Sequence, residues 1–103
     1  MRKYDKVVIK KSTKSNKKMM ATFSNTSQEA GGRTKTIHFG QAGADDYTRT
    51  RDKAQRSRYI SRHRRNENWT VADTAGSLSR WILWHTETKR ASIISYKSRF
   101  NLK

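Results

Sequence analysis

Apolar and polar positions alternate with a period of two over much of the first 40 residues, which is typical of β-strands. Residues 7–9 are β-branched and flanked by lysines, and residues 19–24 carry Met, Ala and Phe at every second position. The polar stretch 11–18 between these runs predicts a turn, so together they predict an antiparallel hairpin. Residues 24–33 are mostly small and polar and predict a flexible loop.

A third strand is predicted at 36–39, with Ile37 and Phe39 on one face and Gly40 at its end. Beyond it, the apolar positions change to the spacing of amphipathic helices. We predict a first helix that is capped by an Asp or Thr within 45–48 and runs through Arg65.

Two shorter helices are predicted at 77–84 and 89–100, because apolar residues recur there at helical intervals. Strands followed by helices predict an α+β fold, in which an N-terminal antiparallel hairpin and a third strand pack against about three C-terminal helices. Within one domain we expect a basic hairpin arm with a flexible loop at 1–34 and a small α+β core at 35–103. The predicted core residues are Ile37, Phe39, Tyr59, Ile60, Trp69, Trp81 and Ile93.

Charge narrows the choice of partners. The chain has 24 Lys and Arg against 8 Asp and Glu, a net charge of +16 over 103 residues. Such a domain repels itself unless an anionic partner neutralises it. Nucleic acid, acidic faces of other proteins and an anionic membrane surface all meet this requirement.

The basic residues concentrate in the predicted hairpin turn and the first helix. The alternative for the helix is a solvated face, and for the hairpin it is lysine protection of a sheet edge. No base-reading motif is present, so contacts with nucleic acid are expected to be non-specific and sensitive to salt. The residues expected to bind a polyanion or an acidic partner are Lys10, Lys11, Lys14, Lys17, Lys18, Arg49, Arg58, Arg62, Arg64 and Arg65.

Aromatic residues make up 10% of a chain that is only 32% hydrophobic. Most are expected in the core or an interface, and stacking on bases is the alternative. Trp84 and Phe100 are the predicted hydrophobic anchors for a partner.

Catalytic and metal chemistry find little support. The chain has no Cys, and His38, His63 and His85 lack the short spacing of metal ligands, so no metal, cofactor or small-molecule substrate is expected. Asp45 and Asp46 are better explained as helix caps than as catalytic acids, and His63 as a packed or hydrogen-bonded histidine beside Tyr59. We therefore expect no enzyme. No apolar run reaches the roughly 20 residues of a membrane span.

From residue 35 onward, a series of short motifs resembles a family of small basic, uncharacterised proteins of large eukaryotic DNA viruses. The resemblance covers residues 35–100, about two thirds of the chain. The motifs are KTIHFG at 35–40, DYT at 46–48, YISRH at 59–63, ENW at 67–69, TAG at 74–76, SRWILW at 79–84 and RF at 99–100.

The resemblance implies a viral origin and names no active site. Together with small size and high charge, it predicts a virion structural protein, a minor internal capsid component that cements larger capsid subunits through basic surfaces. The alternative is a non-specific nucleic-acid-binding protein that packages or condenses the viral genome. The expected location is the virion, assembled in the host cytoplasm or nucleus, and the expected partners are capsid proteins, DNA or the surface of an inner membrane.

Overall fold

A three-stranded antiparallel sheet forms the N-terminal half of the chain, as the alternating pattern predicts. The computed structural model describes residues 4–26 and 34–103. The predicted loop at 24–33 therefore lies largely outside the described residues. The strands, which lie in the order β1-β2-β3, are β1 (Lys6–Lys11), β2 (Lys17–Ser24) and β3 (Lys35–Gln41).

One face of the sheet supplies much of the core. Val7 lies opposite Phe23, and Ala21 in the central strand lies between Ile9 and Ile37. Val7, Ala21 and Phe23 are almost completely buried. The hairpin, which the sequence led us to treat as an arm, thus contributes directly to the packed centre of the fold.

The helical half follows the sheet and completes the predicted α+β fold. Its third segment continues without interruption into a π-helical turn. The segments are α1 (Tyr47–Thr50), α2 (Lys53–His63), α3 (Ala75–Leu78), the π-helical turn Ser79–Leu83 and α4 (Lys89–Arg99).

The prediction of a single helix from residues 45–48 to Arg65 is wrong, because the helix is interrupted between α1 and α2. Arg51 adopts a left-handed conformation with φ 56°, which ends α1. Asp52 then caps a new helix, since its side chain accepts hydrogen bonds from the backbone N–H groups of Ala54 and Gln55. A second N-cap residue inside the pattern was therefore the signal for the break.

The π-helical turn changes the spacing of the backbone hydrogen bond at its end. The N–H of Trp84 donates to the carbonyl of Ser79, five residues earlier, instead of four. The predicted helix at 77–84 begins earlier than expected, at Ala75, where the Thr74 side chain caps the Ser77 N–H. The predicted helix at 89–100 agrees closely with α4.

The core lies between the sheet and the helices. Phe39 and Tyr59 are buried in it as predicted. Tyr96, which lies on the predicted apolar face of the last helix but was not among the predicted core residues, is fully buried, and its hydroxyl donates to the carbonyl of Ala72 at 2.7 Å. The other predicted core residues are partly buried: Ile37, Ile60, Trp69, Trp81 and Ile93.

The prediction that Trp84 anchors a partner is wrong. Trp84 is only 8% exposed and stacks on Tyr59, with ring centroids 4.4 Å apart. Its indole is therefore already used by the core. Phe100, the second predicted anchor, is partly buried and packs against Tyr96 at a centroid distance of 5.0 Å.

Gly40 allows a close approach between the sheet and the helical layer. Its φ is +78°, and a Cβ there would lie 2.7 Å from Leu83 Cδ1 and 3.3 Å from Lys18 Cβ. Gly43 also has a positive φ of +83°, but nothing lies within 4 Å of a Cβ built there. At both positions a residue with a Cβ would be strained by the left-handed backbone, but only at Gly40 would that Cβ also meet close neighbours.

We expect Gly40→Ala to lower the free energy of unfolding by about 2–4 kcal/mol, because overpacking against Leu83 adds to left-handed backbone strain. Gly43→Ala, the matched control, adds only the backbone strain and should lower the free energy of unfolding by about 1 kcal/mol. Urea unfolding of both variants measures the difference. Equal losses would show that the contact with Leu83 is unimportant.

Candidate polyanion-binding surface

Most of the predicted anion-binding residues are exposed. Those on the surface are Lys10, Lys11, Lys14, Lys17, Arg49, Arg58, Arg62, Arg64 and Arg65. Arg49 lies 3.9 Å from a carboxylate oxygen of Asp45, a distance at which an exposed pair contributes little.

Lys18 is the exception, and its assignment to partner binding is corrected. Its side chain is 14% exposed and its Nζ lies 2.5 Å from Asp46 Oδ2. Asp46 is itself buried and also accepts hydrogen bonds from the Thr48 N–H and hydroxyl, as the predicted helix cap. Lys18 therefore fastens β2 to the start of α1.

The charge of Asp46 is stabilised despite its burial. Burial raises its pKa, but hydrogen bonds from Lys18 and Thr48 outweigh burial, so that the pKa lies below the ordinary value of 3.8. The carboxylate is therefore ionised at neutral pH and holds the Lys18 ammonium.

A cleft brings the two predicted basic elements together. Its volume is about 640 Å³, and it lies between the β2–β3 side of the sheet and α2. Lys17 lines it from the start of β2 and Arg62 from α2, and both are exposed. The carboxylates of Asp45, Asp46 and Glu67 also line the cleft, and those of Asp46 and Glu67 already contact Lys18 and His63. The hairpin and the basic helix, 45 positions apart in sequence at these two residues, thus border one concave surface.

A second group of cations surrounds the π-helical turn. The Trp84 carbonyl accepts one hydrogen bond from Arg56 Nε at 3.1 Å and one from Arg80 Nη1 at 2.9 Å. Two guanidinium groups, from α2 and from the π-helical turn, therefore share one neutral acceptor. Trp84 is the residue that directly follows the π-helical turn, as its C-cap.

Aromatic rings hold these cations where carboxylates usually do. The guanidinium carbons of Arg80 and Arg99 lie 4.3 Å and 3.6 Å from the centroid of Trp81. Arg80 also lies 5.3 Å from the ring of Trp69. Each cation–π contact contributes about 0.5–2 kcal/mol. We call Arg56, Arg80 and Arg99 the arginine cluster.

No carboxylate neutralises the arginine cluster within the described ranges. There, the Lys and Arg side chains within 4.0 Å of a carboxylate are Lys18, Lys35 and Arg49. Arg80 is only 9% exposed. Burial, followed by repulsion from Arg56 and Arg99, lowers the pKa of Arg80 to about 10.

The histidines make local contacts. His63 stacks on Tyr59 at 4.2 Å, and its Nδ1 lies 2.5 Å from Glu67 Oε2, which confirms the prediction of a packed, hydrogen-bonded residue. The Nδ1 of His38 lies 2.7 Å from Ser12 Oγ. In the part of the chain that the structure describes, no group of three or more His, Asp or Glu side chains could hold a metal ion.

Sequence reasoning missed the arginine cluster, because its members lie on three separate segments. One signal was present: Arg80 is a charged residue inside the apolar SRWILW segment, where burial would be costly without a specific role.

No helix among the described residues is long and apolar enough to cross a membrane.

Comparison with known proteins gives a family but no activity. The model of a family of unknown function, DUF5754, matches residues 7–63, from β1 to the end of α2. Since this match covers more than half of the 103 residues, the chain belongs to that family. Neither a curated protein nor a solved structure matches it.

We expect Asp46→Asn to lower the free energy of unfolding by about 3 kcal/mol at neutral pH, because it leaves the Lys18 ammonium buried and unpaired. Asparagine also caps helices well, so the substitution mainly removes charge. Asp45→Asn, next to it but exposed, is the control and should cost under about 0.5 kcal/mol.

The same pair of variants tests the pH dependence. A lowered pKa contributes stability above the unfolded value near 3.8 and loses it as the pH falls through the folded pKa. The gap between wild type and Asp46→Asn should therefore narrow below about pH 4. A gap that stays constant down to pH 2 would contradict this assignment.

Proposed function

We propose that this protein binds nucleic acid without sequence preference, through the exposed cations that border the cleft and continue along α2. The observation that carries the proposal is that Lys17 and Arg62, from the two basic elements, line the same concave surface. A single strand or a backbone edge is the kind of polyanion that contacts both at once.

The chemistry of the side chains fits phosphate. Guanidinium groups bind phosphate oxygens with two parallel hydrogen bonds, and Arg58, Arg62 and Arg65 fall on one solvent-facing stripe of α2 and the turn after it. Phosphate contacts position a protein on the chain but carry no sequence information. Such binding suits packaging or condensation of a genome.

We propose a second candidate, cementing of capsid subunits in a virion, which rests on the resemblance to viral proteins. Three large apolar side chains favour it, because they are exposed where a protein neighbour could cover them. These are Val8 at 38%, Val71 at 41% and Ile94 at 61% exposure. Acidic faces of the neighbours would then meet the same cations.

Salt dependence tests the first candidate. For the wild type, we expect the logarithm of the affinity for a single-stranded oligonucleotide to fall linearly with the logarithm of salt concentration, by about 0.7 per phosphate contacted. The double variant Lys17→Gln/Arg62→Gln should lose up to two such contacts, and its slope should be shallower by about 1.4.

The matched control is Lys6→Gln/Arg90→Gln, which also removes two exposed cations but none that lines the cleft. Its slope should equal that of the wild type. If both double variants lose the same slope, binding reflects net charge alone and the cleft has no special part.

The two candidates separate when purified virus particles are taken apart stepwise with nuclease and detergent and the protein is followed by mass spectrometry. A nucleic-acid-binding protein should leave with the genome. A protein that stays with the shell after genome and lipid are gone would contradict the first candidate and support cementing.

A further inference from the structure

Two buried nitrogen atoms beside the π-helical turn have no hydrogen-bond partner. They are Arg80 Nε and His85 Nδ1, and they are the only such side-chain atoms in residues 4–26 and 34–103. Leaving a buried polar group unpaired costs about 1–3 kcal/mol, and more for a charged one. In a native protein such groups call for an explanation, of which a bound ion is one.

The charged groups that act on His85 are the three arginines of the cluster, and among the described residues no carboxylate lies within 4.0 Å of any of them. Arg56 and Arg80 converge on the Trp84 carbonyl, which is uncharged and leaves most of their N–H donors unused. Arg99 lies on the same Trp81 ring as Arg80. The His85 ring lies nearly perpendicular to the Trp81 ring, at a centroid distance of 5.4 Å.

Burial makes this arrangement different from the exposed lysines of the hairpin. A buried guanidinium without a counter-charge is destabilising, and a dianion that accepts several hydrogen bonds would relieve both the charge and the unpaired donors. Phosphate offers up to four oxygens in a tetrahedron, which suits forks that approach from three different segments.

We propose that the arginine cluster is a discrete phosphate-binding site, in which Arg56, Arg80 and Arg99 hold one phosphate group beside His85. The inference deepens the proposed function and rests on it for the source of the phosphate, a nucleic-acid backbone. Arg99 is the exposed member, so the phosphate approaches from its side of Trp81.

Binding at the site can be followed by NMR spectroscopy, because the side-chain N–H groups of Arg80 and Trp81 lie within it. We expect inorganic phosphate, added to the full chain at constant ionic strength, to shift both resonances saturably, whereas chloride does not. Arg99→Gln should weaken phosphate affinity about tenfold, the loss of one charge-assisted pair.

Arg90→Gln is the matched control, since Arg90 is exposed on the same helix nine positions from Arg99 and therefore on its opposite side. Its phosphate affinity should equal that of the wild type. Because Arg99 is exposed, its replacement removes one cation–π contact with Trp81 but leaves the buried core in place, whereas a change at Arg80 disturbs a buried residue. Equal weakening by both variants, or a response to chloride equal to that to phosphate, would overturn the site.

A titration with a single-stranded oligonucleotide without terminal phosphates identifies the source of the phosphate group that the site binds. A shift of the Arg80 resonance supports a backbone phosphate, whereas a shift with inorganic phosphate alone supports a free phosphate ligand at the same site. Oligonucleotide binding with no Arg80 response to either titrant overturns the site but leaves the proposed function standing. A response to phosphate without any oligonucleotide binding keeps the site and overturns the proposed function.

Discussion

Repulsion among its own cations is the constraint under which this chain folds. With 24 Lys and Arg against 8 Asp and Glu, most cations have no carboxylate to pair with. Four of the acids that the structure describes cap helices or join separate parts of the fold. Asp46 caps α1 and holds Lys18, Asp52 caps α2, and Glu67 joins His63 to the indole N–H of Trp69. Asp73 pairs with Lys35 at 3.1 Å and so links the helical half to β3.

Aromatic rings and a backbone carbonyl take over where acids are absent. Trp81 lies under two guanidinium groups, and Trp84 contributes its ring to the Tyr59 stack and its carbonyl to Arg56 and Arg80. The same residues therefore build the core and leave a cluster of cations without a counter-charge. A cation–π contact stabilises a guanidinium without using up all of its hydrogen-bond donors, so the cluster stays able to bind an anion. The contacts of Trp81 and Trp84 that stabilise the region of the π-helical turn are therefore also the contacts that position the inferred phosphate site.

The fold was largely predictable from the sequence, whereas the site was predictable only in part. Period-two alternation indicated the hairpin and third strand, and helical spacing indicated α4, because these signals are local. The break at Arg51 was missed, since Asp52 was read as an interior position when it is an N-cap. The misassignments of Trp84 and Lys18 have one cause: burial depends on how the layers pack, and the sequence pattern does not specify that. The arginine cluster has no spacing signal, because packing alone brings its three segments together.

Whether nucleic acid binds at the cleft and the arginine cluster can be tested by photo-crosslinking. A short single-stranded oligonucleotide is cross-linked to the full chain at about 0.15 M salt, and the cross-linked peptides are mapped. At this ionic strength the Debye length is about 8 Å, so attraction to distant charges is screened more strongly than direct contacts are. We expect cross-links concentrated in the segments that contain Lys17, Arg62 and Arg99. Cross-links spread evenly over the chain, or confined to the outer face of the sheet around Lys6 and Lys10, would contradict it.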